Sequence, residues 1–286
     1  KYIHRENIIF SELHIKRHVK PVLKVFSFSV VTSIYLQLNT VLLGFLKNAL
    51  AVGYFAAATK VMQMLLTMSV CLGSVMMPRA SHLIAENKEA EFNRLIQKSY
   101  DFTLAIALPM TIGLIFCAPS LITALCGVKF EHSILPSQII APIILMVAIS
   151  NVFGIQVLFP KGKINIVTLC CGIGAVADLI LNLCLIPLFS YIGTSIAYLG
   201  AEVATTVSMY FIGRRYIPII YFKKSHLTYA LGCVVMAFAL YGLSLLQLPT
   251  FTILLLQGCC GVLAYFIILC ICKDEMLVQI LSKIKR

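Results

Sequence analysis

The chain has 286 residues, of which 60% are hydrophobic and 12% charged, with a mean hydropathy of +0.96 and a formal net charge of +12. A soluble domain carries about 25% charged residues, so this composition excludes a soluble globular protein and demands several membrane spans. The positive charge does not indicate nucleic-acid binding, because lysine and arginine lie in short clusters between apolar runs, as topology signals do.

Residues 1–20 are polar and basic, and Ser11 is placed to cap a short helix at SELHIKRH. The chain opens on this stretch without an initiator methionine or a signal peptide, so the C-terminal part of a longer protein is expected. The first predicted span, 21–46, is broken only by uncharged Gln37 and Asn39, and residues 47–53 make a turn. The second, 54–77, is almost wholly apolar, encloses Lys60, and is expected to stop at Pro78-Arg79. In the polar connection 82–98, Phe92, Leu95 and Ile96 recur at i, i+3, i+4, which predicts a short helix lying on the membrane surface.

The third span runs from Tyr100 to Pro119 with a bend expected at Pro109. A loop with Lys129 and Glu131 leads to the fourth, 136–159, closed by Pro160-Lys161-Gly162-Lys163. The fifth, 164–187, holds Asp178 and Asn182, and a turn at Tyr191-Ile192-Gly193 leads to the sixth, 194–213, with Glu202. A basic connection, 214–226, precedes a tight hairpin of two spans, 227–247 and 250–272, and a basic tail, 273–286. The reading is thus an all-α integral membrane protein with eight transmembrane helices.

With the N-terminus inside, twenty of the lysines and arginines fall on inside segments and only Lys47 and Lys129 on outside loops. This alternation predicts that both termini are cytoplasmic. Of the eleven cysteines all but Cys126 are read as sitting in apolar runs, and no CxxC pair or Cys/His cluster has ligand spacing, so they read as small packing hydrophobes; no metal or cofactor is expected. The six histidines are placed outside the spans. Ala197, Ala201 and Thr205 form a small-xxx-small stripe for close helix contact. No GxSxG, HExxH or P-loop occurs, and the outer loops are too short for a catalytic domain, so an enzyme is not expected.

Three fully charged side chains lie well inside spans: Lys60, Asp178 and Glu202. At 1.5 Å per residue Asp178 is roughly 22 Å, Glu202 roughly 18 Å and Lys60 roughly 27 Å from the inner boundary. A charge at the centre of a span costs at least about 2.5 kcal/mol, so it normally faces a polar interior or a partner. Lys60 is either a pathway residue or a side chain reaching outward to water. Asp178 and Glu202 either bind and release a cation or proton or, with Asn39, Asn151, Asn182 and Gln156, hydrogen-bond neighbouring helices as packing glue.

The stretch YFAAATKVMQMLLTMSVCLGSVMMPRAS, residues 54–81, resembles the Wzx-type oligosaccharide flippases of the MOP/MATE transporter superfamily. LNTVLLGFL in the first span, SNVFGIQVLFPKGK at 150–163 and DLILNLCLIPLFSYIGTSIAYLGAEV at 178–203 resemble further family patterns, although an Asp is frequent where Asn39 stands. The resemblance implies helices seven to fourteen of the family, with 21–213 as one six-helix lobe, 227–272 as an additional helix pair, and the N-terminal lobe missing. It implies transport of an undecaprenyl-pyrophosphate-linked oligosaccharide from inner to outer leaflet of the bacterial cytoplasmic membrane by alternating access, for O-antigen, capsule or exopolysaccharide synthesis. Lys60, Asn39, Asn182, Asn151 and Gln156 are the pathway candidates, and Asp178 and Glu202 the candidates for coupling to protons or sodium. Partners would be the lipid-linked oligosaccharide, the bilayer and a polysaccharide polymerase complex. Competing readings are a MATE-type drug/cation antiporter, a non-transporting scaffold of a polysaccharide assembly complex, and a membrane enzyme of that assembly.

Overall fold

A computed structural model describes residues 15–221, 223–246 and 249–272. Every regular element among the described residues is helical: α1 (Ile15–Leu46), α2 (Ala49–Ala85), α3 (Glu89–Cys126), a 3-10 turn (Val128–Ser133), α4 (Ile134–Ile140), α5 (Ile143–Asn151) continued by a π-helical stretch (Val152–Leu158), α6 (Ile164–Gly213), α7 (Lys224–Ser244) and α8 (Thr250–Ile271). Five helices are long and apolar enough to cross a membrane, and counting the bent pair around α4 and α5 as one span makes up to six. From α1, the stretch Gln37–Leu46 registers as a shorter apolar helix.

Helix α6, at 50 residues, would run about 75 Å if straight, far more than a hydrocarbon core of roughly 30 Å. Instead it folds on itself. Pro187 removes one backbone donor, and three residues later Ser190 takes φ 53° and ψ −130°, outside helical geometry. The two arms then run antiparallel: Gly174 lies against Ala201 and Thr205, Leu181 against Gly200, and Leu185 against Gly193. Gly193 faces the Leu185 carbonyl so closely that a Cβ would collide with it. The stripe of Ala197, Ala201 and Thr205 is buried, and the contacts of Gly174 place two of its members on the seam between the arms.

Three local expectations change. Helix α2 does not stop at Pro78 but carries that proline inside it and continues to Ala85. No separate surface helix occupies 82–98; those residues are shared by the end of α2 and the beginning of α3. Phe92 and Ile96 are fully buried and cluster with Ala80, Leu83, Val157 and Leu158, while Leu95 packs at the edge. Their one-sided spacing faces protein, not lipid. Helix α3 runs through Pro109 and continues past the expected end at Pro119 to Cys126, and the fourth segment bends by 44° where Ala141-Pro142 separates α4 from α5. The Ser11 cap and the basic tail fall outside the described residues.

Contacts sort the connections into two ends. At one end Lys47 Nζ donates to the Pro187 carbonyl (2.9 Å), and the Tyr54 ring meets Phe130, His132 and Tyr191. At the other, Lys161 Nζ donates to the Tyr216 carbonyl (3.0 Å) and lies over the Phe92 ring, and Lys163 lies over Tyr216. Two apolar clusters fill the bundle, one around Leu43, Phe55, Met62, Ile122 and Ile144, the other around Phe92, Ile96, Val157 and Met209. Helices α7 and α8 pack on each other and on α3. The Tyr265 hydroxyl of α8 donates to the Ala105 carbonyl (2.8 Å), and the Ser120 hydroxyl of α3 donates to Gln257 Oε1 (2.5 Å).

Candidate functional site

The most enclosed polar group joins α1 to the first arm of α6. Asp178 and Asn182 are fully buried and Asn39 is 3% exposed. Asn39 Nδ2 donates to Asp178 Oδ2 (2.9 Å), and Asn182 Nδ2 lies within reach of Asp178 Oδ1 (3.0 Å), the Asp178 carbonyl (2.9 Å) and Asn39 Oδ1 (2.9 Å). The i, i+4 spacing puts Asp178 and Asn182 on one helical face, and Asn39 reaches them from across the interface. Two neutral amides therefore supply the donors of a buried carboxyl, while Asn182 Oδ1 is buried without a partner.

Glu202 is also buried. The pairing of the α6 arms sets it level with Asp178, and buried Tyr198 is close enough to interact with both carboxyl groups. Sequence spacing had put the two acids within a turn or two of each other in depth; the folded hairpin brings them to one level.

Lys60 is separate from this cluster. It is exposed, and from it Gln63, Met64, Thr67, Met68 and Cys71 continue one exposed face of α2 at helical spacing. This face mixes polar groups and adaptable methionines, so it is not a uniform lipid-facing surface. Polar residues at i, i+3 and i+7 along a spanning helix suit a wet or substrate-lined wall better than acyl chains.

Asn151 and Gln156 form a third group at the π-helical stretch. Gln156 is buried and its Oε1 accepts from the Ser99 hydroxyl (2.5 Å). Asn151 Oδ1 is buried without a partner and abuts Gly73 of α2, where a Cβ would collide with it. Single π-helical turns cluster at functional positions, and this one brings two pathway candidates together against α2. The structure thus unites Asn39, Asp178 and Asn182, sets Glu202 at their level, and keeps Lys60 and the Asn151/Gln156 pair apart from them.

One polar cluster escaped the sequence reading. Asp101 Oδ1 accepts from Gln97 Nε2 (2.7 Å) and from His226 Nε2 (3.0 Å), and its Oδ2 from Lys223 Nζ (2.8 Å). His226 Nδ1 meets the Tyr221 carbonyl (2.8 Å), and Gln97 Oε1 accepts from the Ile220 N–H (2.8 Å). His226 therefore lies in the first turn of α7 as part of a strap holding residues 220–226 to α3, not in an inert connection. No motif announces contacts more than 120 residues apart.

A family model described as "Polysaccharide biosynthesis protein" matches residues 2–135. The chain is 26% identical over 199 residues to a protein of Escherichia coli (strain K12) described as an O-antigen transporter, covering 68% of this chain and 47% of that one. It is 27% identical over 181 residues to a protein of the same description from Shigella dysenteriae, covering 62% and 44%. The chain thus spans about half the length of these relatives. Among solved structures, the lipid II flippase MurJ in an inward closed conformation superposes with a TM-score of 0.76 at 18% identity, covering 92% of this chain and 56% of that one. A MATE transporter in a bent conformation superposes with a TM-score of 0.61 at 17% identity, covering 77% and 53%. At these identities the superpositions speak for the fold.

Proposed function

We propose that this chain, a member of the Wzx-type polysaccharide flippases of the MOP superfamily, supplies one lobe of a transporter for an undecaprenyl-pyrophosphate-linked oligosaccharide. In that reading 21–213 form the six-helix lobe, 227–272 an additional pair, and the substrate moves from inner to outer leaflet of the bacterial cytoplasmic membrane by alternating access. The basic connections 159–163 and 214–223 lie on the cytoplasmic side, as the charge bias of the loops requires.

The observation that carries the reading is the exposed face of α2. A pyrophosphate crossing a membrane needs a cationic contact, and Lys60 offers an exposed one about 16 Å along α2 from its first residue. Gln63 and Thr67 continue the polar wall for the sugar head group. A second lobe seated opposite this face closes the cavity, and the lipid tail stays in the bilayer. Asp178, held between α1 and α6 and level with Glu202, is placed to couple a proton or sodium ion to the motion.

The test uses cells lacking the intact gene. Their extracted lipids are expected to accumulate undecaprenyl pyrophosphate carrying a complete oligosaccharide, seen by mass spectrometry. Wild type reverses the accumulation and Lys60→Ala, expressed at equal level, does not. Unchanged lipids with unchanged surface polysaccharide would overturn the flippase and favour a drug/cation antiporter.

A further inference from the structure

We propose that the π-helical turn Val152–Leu158 is a two-state hinge, which clamps α2 while it keeps its wider geometry and frees α2 when it straightens to α-helix. A π turn closes i→i+5 bonds in place of i→i+4, and here the Phe159 N–H donates to the Gly154 carbonyl (2.9 Å). In an α-helix residues five apart point about 140° from each other. The wider turn brings Asn151 and Gln156 back to one side, and both meet α2 at the same residue, Gly73.

The clamp is tight. A Cβ on Gly73 would collide with Asn151 Oδ1 and come within 3.3 Å of Gln156 Nε2. Gln156 is held at its other end by the Ser99 hydroxyl of α3 (2.5 Å). Two amides therefore tie α2, α3 and α5 together, and they do so only in π geometry. The arrangement also carries a cost, because Asn151 Oδ1 is buried without a partner. Close packing on one side of the balance and a stranded carbonyl on the other bring two arrangements near in free energy, the condition for a bistable element.

The surroundings permit the motion. Ile149 and Phe153 line a cavity of ≈ 610 Å³, so side chains at the turn can rotate into open space. Gly154 faces α6 at Val167 and at the flexible side chain of Met209, each 3.4 Å from where its Cβ would stand. The extra residue can pass into the turn 159–163, where Gly162 already has φ 69°. On α2, Pro78 follows Gly73 by five residues. Both residues weaken a helix, so the inner end of α2, once freed, tilts about this point. The inference rests on the reading of α2 as a wall of the transport path only for its consequence, which is that the tilt alters the width of that path at its inner end.

The test is hydrogen exchange read by mass spectrometry on the full-length protein in lipid nanodiscs, with variants that fix either state. Deleting Ile155, the one residue of the turn that is only partly buried, leaves Asn151 and Gln156 four apart. An ordinary α-helix then holds both on Gly73. Exchange should slow at least about threefold in residues 152–159 and in α2 beyond Gly73 together, with α8 unchanged. Gly73→Ala forces the clamp open and should speed exchange about tenfold in both segments. Adding Asn151→Ala, which removes the colliding carbonyl, should restore protection. Wild-type exchange in the deletion protein, or a change confined to one of the two segments, overturns the hinge. Where the deletion protein fails to fold, Gly73→Ala decides: an effect that stays within α2 overturns the proposal, and one that crosses to 152–159 and is reversed by Asn151→Ala upholds it. No transported substrate enters these measurements, so a failed hinge leaves the flippase reading standing and a failed flippase leaves the hinge.

Discussion

Replacing Asn39 with leucine removes the amide that ties α1 to α6 and leaves Asp178 one donor short. Two interhelical hydrogen bonds disappear: Asn39 Nδ2 to Asp178 Oδ2 at 2.9 Å and Asn182 Nδ2 to Asn39 Oδ1 at 2.9 Å. In membrane proteins such bonds average about 0.6 kcal/mol, with a maximum near 1.7, so the pair contributes roughly 1–3 kcal/mol. A loss of about 2 kcal/mol should lower the melting temperature by about 4–6 °C. The buried free thiols of Cys117, Cys170 and Cys233 make this measurable with a thiol-reactive dye that reports unfolding in detergent. Asp178→Leu should cost a similar amount, because it strands both amides. The double variant should cost clearly less than the two singles together, since one contact has been removed twice. Strict additivity, or an Asn39→Leu protein that melts with wild type, would refute a coupled cluster.

Gly174→Ala should destabilise by about 1–3 kcal/mol, as overpacking does, because its Cβ collides with Thr205 Oγ1 and lies 3.2 Å from the Ala201 carbonyl. Gly172→Ala on the same arm has nothing within 4 Å and should stabilise by up to about 1 kcal/mol through helix propensity; equal melting of the two would contradict the packed hairpin. Asp101→Asn removes the partner of Lys223 and His226, and losing bonds between charged groups costs about 1–3 kcal/mol. Local opening of the connection should then let trypsin cut after Arg214, Arg215 and Lys223 roughly tenfold faster, since cleavage needs an unfolded backbone and follows the open population. An unchanged digestion rate would show that the strap holds by packing alone.

The helical character of the chain was legible because long apolar runs satisfy their backbone in a bilayer as helices; among the described residues five helices, with α6 counted once, or up to six with the bent pair, are long and apolar enough to span where eight were expected. The joint nature of Asp178 and Asn182 was also legible, since i, i+4 spacing is a local property. Their third partner was not, because Asn39 lies 139 residues from Asp178 and no periodicity encodes which helix sits opposite. The segment 82–98 failed for a related reason. Phe92 and Ile96 show one apolar face, and spacing alone does not say whether lipid headgroups or the Val157–Leu158 turn will cover it. Pro78 misled as a stop signal, because a proline-containing helix persists where the surrounding packing holds it. Asp101 was invisible as a site; its value comes from Lys223 and His226, more than 120 residues away.

A buried acid that serves only as glue needs one arrangement of hydrogen bonds, whereas a carrier of protons needs two. As an ionised carboxylate Asp178 can only accept, and each oxygen has an amide N–H within reach. Once protonated, the same group gains a hydroxyl that must find an acceptor. Asn182 Oδ1 is buried and unpartnered on the adjacent turn, and half a rotation of that amide presents it to Asp178. The side chain that now donates to the carboxylate can therefore become the acceptor of the acid. The exchange also turns Asn182 Nδ2 away from Asn39 Oδ1, breaking one of the two bonds between α1 and α6. Proton uptake at Asp178 would thus loosen the seam between α1 and α6. That link between charge state and interface is the physical content of the proposed coupling, and Glu202, at the same level on the opposite arm, is placed to share the proton.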